Sequence, residues 1–298
     1  MLGIARHTLK SPFHAFTVVG LLAVVSLIIP FVSLLSGAIV SLLILTQGFQ
    51  SGVKVVALTV LGLSVMTWVS AGSPLIGMMI GLVQWLPVMV LAEVLRRTQS
   101  FSLVIIASMV LGSIAVILQF MLWPELGQFL RDMIVEMFDQ SQQSEHYAAM
   151  QTAVEQIVQW MVLLFVAAMV STYVVTLMIG RWFQAKLIES DGYKKEFYSI
   201  KLGKTTALIS LLIMLLSSFA NLDWLIAVAV VLASGFLFQG LAVAHQRMNR
   251  SAKKGLLNGL FYFLLFVFPQ AVALTAGVGI IDNWLNLRKG EQSPQHID

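Results

Sequence analysis

The chain alternates between long apolar runs and short polar gaps. Barrel strands would alternate apolar and polar positions over about ten residues, whereas stretches such as 158–170 and 225–238 are apolar on every face. The runs therefore predict helices. The first, from Phe13 to Leu45, is interrupted by Pro30. Proline lacks an N–H and disfavours helical backbone just before it, which predicts two helices over 13–29 and 31–47. A turn over 47–52 follows, then a run from Val55 to Leu95 broken at Gly72-Ser73-Pro74, which predicts a second hairpin. Single helices are expected over 100–122, closed by Trp123 and Pro124, and over 157–179. A hairpin over 205–244 turns at Asn221-Leu222-Asp223. The last run, 255–287, is broken by Pro269 and predicts a final hairpin or a partly re-entrant pair. A crossing helix needs about 20 apolar residues, so the pattern predicts ten apolar helices, eight to ten of them fully spanning.

Between the third and fourth blocks lies the longest polar interruption, 123–156. Within it Leu126, Phe129, Leu130, Met133, Ile134, Met137 and Phe138 recur at intervals of three and four, the period of one helical face. This predicts an amphipathic helix, either resting at the lipid interface or forming a lid over a cavity. Pro124 suits a first helical turn, and Glu125 suits its positive dipole end.

Composition turns these helices into membrane spans. Hydrophobic residues make up 58% of the chain and charged residues 11%, with a mean hydropathy of +0.89, against roughly a quarter charged in soluble domains. The fold class is all-α, a polytopic transmembrane helical bundle with 1–289 as a single domain and 290–298 as a polar tail. Of the 18 Lys and Arg, 17 lie beside spans outside the 123–156 stretch, where they act as orientation signals, so a nucleic-acid partner is excluded and the lipid bilayer is the expected one. Residues 123–156 carry one basic residue, Arg131, against six acidic ones. Keeping the basic clusters cytoplasmic places both termini inside and 123–156 outside. Arg6, His7 and Lys10 before the first run resemble the start of a signal peptide, with Ser36-Gly37-Ala38 in the place of a cleavage site, but the apolar run continues beyond it. There is no cysteine, which removes disulfides, thiolate metal sites and cysteine nucleophiles.

Candidate chemistry is sparse. Gly203-Lys204-Thr205-Thr206 imitates the end of a phosphate loop, but the required earlier glycine is Tyr198; Lys204 is read as an interfacial anchor. The five histidines are scattered and no catalytic or metal motif occurs, so no enzyme, cofactor or metal is expected. Charged and polar residues within spans are costly and repay inspection. Glu93 lies three and four residues before Arg96 and Arg97, spacing for a local ion pair. Pro87 is expected to free the Val83 carbonyl and kink its helix, with Gln84 and Trp85 beside the bend, available to a ligand or to a neighbouring helix. Gln239, His245 and Asp282 complete the ligand-binding candidates. Arg181, Lys186, Lys194, Lys195 and Lys201, in a basic elbow over 181–204, are the candidates for lipid or partner contact. Small residues four apart, Gly77 to Gly81, Gly255 to Gly259, Ala273 to Gly277 and the row Ser33, Gly37, Ser41, allow close helix contact.

Four stretches together resemble the YybS-like family of predicted bacterial membrane proteins, a domain of unknown function: Gln84-Trp85-Leu86-Pro87 to Ala92-Glu93-Val94-Leu95-Arg96-Arg97-Thr98; Arg181-Trp182-Phe183-Gln184-Ala185 through Lys195-Glu196-Phe197; Gln239-Gly240-Leu241-Ala242 to His245; and Gly279-Ile280-Ile281-Asp282 to Arg288. The resemblance implies a multi-pass protein of the bacterial inner (cytoplasmic) membrane and carries over no catalytic residue. That family is in turn similar in fold to the substrate-binding S components of energy-coupling-factor vitamin transporters. The likeness would make 13–204 a six-helix part and 205–289 additional hairpins, with Ala15, Val19 and Ala23 as the docking row. The function expected is binding of a small molecule or lipid-like ligand, as a transporter component. The alternative is a scaffold engaging a membrane or cytoplasmic protein partner, or anionic lipid, through 181–204.

Overall fold

The structure of the protein, a computed structural model, describes residues 2–138 and 147–288; the remainder of the 123–156 stretch and the tail 290–298 lie outside the described residues. In chain order the helices are α1 (Leu2–Thr8), α2 (Pro12–Ser26), α3 (Val32–Gln47), α4 (Phe49–Ala71), α5 (Pro74–Thr98), α6 (Phe101–Leu122), α7 (Leu126–Phe138), α8 (Tyr147–Leu187), α9 (Gly192–Tyr198), α10 (Lys204–Ala220), α11 (Asp223–Met248), α12 (Lys254–Val267) and α13 (Pro269–Leu285). The ten apolar helices expected from the sequence are all present.

By length and composition, five of them can cross a membrane, α4, α5, α6, α8 and α11, or six if the α12–α13 pair, bent by 116°, counts as one span. This is fewer than the eight to ten expected. Helices α2, α3 and α10 are apolar but have only 15, 16 and 17 residues, because the break at Pro30 separates α2 from α3, Gly48 ends α3 and the Asn221 turn ends α10. Helix α8 departs the other way. It continues for 41 residues, roughly 60 Å, where the hydropathy marks only 157–179. Polar residues show where a helix leaves hydrocarbon and do not stop it. Likewise α4 begins at Phe49, inside the expected turn.

The chain forms two compact units, Met1–Ala107 with Ser171–Lys201, and Ser108–Val170 with Leu202–Asp298. In the first, α3 is the centre. Ser36–Leu45 is buried on all sides, as an all-round apolar helix must be. Gly37 faces Thr176 of α8, and Gly180 faces Ala38 and Ser41, so closely that a Cβ at either would clash. Gly77 meets the Leu63 backbone in the same way, which is why α4 and α5 pack tightly. The row Ala15, Val19, Ala23 is buried within this unit. Gly255, Gly259 and Gly277 have open space where a Cβ would be, so those pairs do not serve close packing.

Of the two expected consequences of Pro87, the freed carbonyl is visible. The Val83 carbonyl, deprived of its helical donor, accepts from the Tyr173 hydroxyl of α8 at 2.7 Å. In hydrocarbon no water can replace that donor. Tyr173→Phe is therefore expected to lower stability by about 1–2 kcal/mol, read as a lower midpoint of thermal unfolding in detergent.

In the second unit α11 is the most buried of the membrane-crossing helices, at 67% of its apolar window. Gly112 lets α6 approach Val170 of α8 and Val231 of α11. Helices α11 and α13 meet through two glycines: a Cβ on Gly240 would strike the Thr275 carbonyl, and one on Gly279 the Phe236 carbonyl.

Candidate functional site

Two places in the second unit concentrate polar groups. The first is a cleft of about 470 Å³ beside α7, the amphipathic helix that the 126–138 periodicity predicts. Phe120, Val158 and Leu163 give it an apolar floor, and Gln128, Arg131, Glu155, Gln159 and Asp223 give it polar walls. Arg131 projects from α7 and meets Glu155 of α8 at 3.3 Å, both half exposed. The arrangement follows from spacing. Gln128 and Arg131 are three apart, and Glu155 and Gln159 four apart, so each pair shares one helical face. Gly127 lies at the same wall, 3.8 Å from Val162 in Cβ terms. None of these residues was among the candidates drawn from the sequence; the polar pairs at helical spacing on apolar helices were the available signal.

The second place is fully buried and does join two candidates. Gln239 is completely inaccessible, and Asp282 and Asn283 are nearly so. Gln239 Nε2 donates to Asp282 Oδ2 at 2.9 Å, and its Oε1 accepts from the Leu202 N–H at 3.0 Å and Asn283 Nδ2 at 3.4 Å. Asn283 Oδ1 accepts from the Gly203 N–H at 2.9 Å. Arg288 closes the set, with Nη2 and Nε 3.0 and 3.1 Å from Asp282 Oδ2. Burial pushes the Arg288 guanidinium below its ordinary pKa, and the Asp282 charge opposes that shift. Asp282 Oδ1 has no partner among the described residues. The network fixes the Gly203 turn, whose φ of +88° favours glycine, so the phosphate-loop imitation is a helix start held by side-chain amides.

The other candidates go elsewhere. Gln84 Nε2 donates to the Ser33 carbonyl at 3.4 Å, and Trp85 Nε1 to Ser36 Oγ at 3.2 Å, which itself donates to the Val19 carbonyl. Both residues tie α5 to α3 in the first unit. Glu93 accepts from Arg96 Nε at 2.9 Å and Arg97 Nε at 2.6 Å, the local pair that its spacing suggested. His245 Nε2 lies 2.7 Å from the Tyr262 hydroxyl, apart from the Gln239 cluster. In the elbow, Arg181 is buried and paired with Glu196, and it also donates to Gln184 Oε1 at 2.9 Å. Lys186, Lys194, Lys195 and Lys201 are exposed, with Lys194 Nζ 5.9 Å from the Tyr198 ring centre. Among the described residues no group of three His, Cys, Asp or Glu could hold a metal.

Comparison with curated proteins and with solved structures gives no match. A family of predicted membrane proteins, DUF2232, matches residues 15–283, a range that reaches into every apolar helix and takes in the α7 cleft and the Gln239 cluster apart from Arg288. With several helices long and apolar enough to cross a bilayer, the chain is a membrane protein belonging to the DUF2232 family.

Proposed function

We propose that this protein binds a small organic molecule in the cleft beside α7, on the extracytoplasmic side of a bacterial inner membrane. The observation that supports this best is the cleft itself. Its volume of about 470 Å³ lies within the roughly 300–1,000 Å³ of small-molecule sites, and it combines an apolar floor with a few convergent polar groups, as such sites do. Sidedness follows from the retention of Lys and Arg in the cytoplasm. A transporter's binding component is the natural use of such a site. A second reading, a scaffold docking through residues 181–204, draws on the four exposed lysines Lys186, Lys194, Lys195 and Lys201.

The test is release of bound compounds by denaturing the purified protein, followed by mass spectrometry, for the wild type and for Gly127→Trp. The glycine has only ordinary contact distance beyond it, so a small addition is tolerated, while an indole fills the cleft. An organic compound released from the wild type and lost from Gly127→Trp is the expected result. The same released set from both would remove the reason for placing a ligand there.

A further inference from the structure

We infer that the ligand of the α7 cleft is a small monovalent organic cation, an amine with an apolar body, recognised by Asp223. This rests on the cleft being a binding site and adds its chemical class.

The charge inventory carries the argument. Three ionised side chains line the cleft, Arg131, Glu155 and Asp223. Arg131 and Glu155 face each other at 3.3 Å, so they offset one another. Asp223 has no hydrogen bond or ion pair among the described residues. No Lys or Arg occurs between Lys204 and Arg247, the segment that contains Asp223, and Arg131 is the sole basic residue between Arg97 and Arg181. Among the described lining residues the balance is thus one net negative charge.

Asp223 opens α11, where a carboxylate suits the positive helix end. That accounts for an acid at the helix start, but the cation in the same wall, Arg131, is paired with Glu155 at 3.3 Å and not with Asp223. Asp223 is exposed at the cleft, so it attracts a cation as a surface carboxylate does, by about 1 kcal/mol at contact and most strongly at low ionic strength. It also repels anions and so selects by sign. Phe120, Val158 and Leu163 offer nothing to a second charge, which limits the ligand to one ammonium on an apolar body. Gln128 and Gln159 can hydrogen-bond a neutral substituent.

The experiment is a calorimetric titration of the full-length protein in neutral detergent at low ionic strength, against empty micelles, with three probes of matched shape: benzylamine, benzyl alcohol and benzoate. Benzylamine is expected to bind about fivefold tighter than benzyl alcohol, with benzoate weakest. Asp223→Asn should bring benzylamine down to the level of benzyl alcohol, added salt should erode only the amine's advantage, and Gly127→Trp should abolish all binding. If benzyl alcohol or benzoate binds as tightly as benzylamine and Gly127→Trp removes that binding, the cation assignment falls while the cleft stands as a site. If none of the three binds, or binding survives Gly127→Trp, the assignment and the binding function fall together.

Discussion

Gly279→Val is expected to prevent stable assembly of the second unit, costing upwards of about 3 kcal/mol, and Gly240→Val should do the same. In both cases the new side chain has nowhere to go. A Cβ at Gly279 would meet the Phe236 carbonyl, and one at Gly240 the Thr275 carbonyl. These are backbone atoms of the facing helix, which cannot swing aside as the end of a side chain can. The helices must separate, and the buried bond from Gln239 to Asp282, one turn away, is lost with them. Gly277→Ala, on the same helix but with nothing within 4 Å of its Cβ position, is the control and should be neutral or slightly stabilising. Yield of monodisperse protein and the midpoint of thermal unfolding in detergent would show the contrast. Equal behaviour of Gly277→Ala and Gly279→Val would contradict close α11–α13 packing.

Arg288→Ala should cost about 3–5 kcal/mol, because it leaves the Asp282 carboxylate buried without its counter-charge. Asp282 is 1% exposed and the Arg288 side chain 14%, so solvent can do little to compensate. Adding Asp282→Asn to Arg288→Ala should recover most of the loss. Asparagine keeps a carbonyl oxygen to accept from Gln239 Nε2 and carries no charge to strand. A double-mutant cycle on unfolding in detergent measures this, and a double variant no more stable than Arg288→Ala alone would show that the ion pair is not the source of the effect. The ion pair also lies beside the attachment of the chain after α13. Arg247 donates to the Leu287 carbonyl at 2.7 and 2.9 Å, and Arg250 to the Arg288 carbonyl at 2.7 Å, so loss of Arg288 should loosen this segment as well, detectable as faster proteolysis.

Much of the helical framework was legible because membrane physics limits the choices. A run apolar on every side, ended by proline, glycine or asparagine, becomes a buried or lipid-facing helix with little ambiguity, and all ten apolar helices appeared. Pro87 was legible in the same sense, since a missing N–H has a definite consequence at Val83. Its remedy was not, because the hydroxyl that answers it comes from Tyr173, some 90 residues away. The candidate polar residues had the same ambiguity. Gln84, Glu93, Gln239 and Asp282 all stand out as polar groups in apolar surroundings, and sequence alone cannot say whether each faces a ligand, a neighbour or its own helix. Gln84 turned to a neighbouring helix, Glu93 to its own, and Gln239 and Asp282 to each other.

The sequence by itself determined the all-helical class, the membrane setting, the hairpin punctuation and the amphipathic α7, because each depends on composition or on a period along one helix. The tertiary structure alone decided that α11 and α13 touch at Gly240 and Gly279, that Asp282 meets Arg288 within a network built on Gln239, and that Arg131, Glu155 and Asp223 line one cleft beside α7. Those features depend on which faces of distant helices meet, and hydrophobic burial, being non-directional, sets how much surface is hidden without naming the partner that hides it.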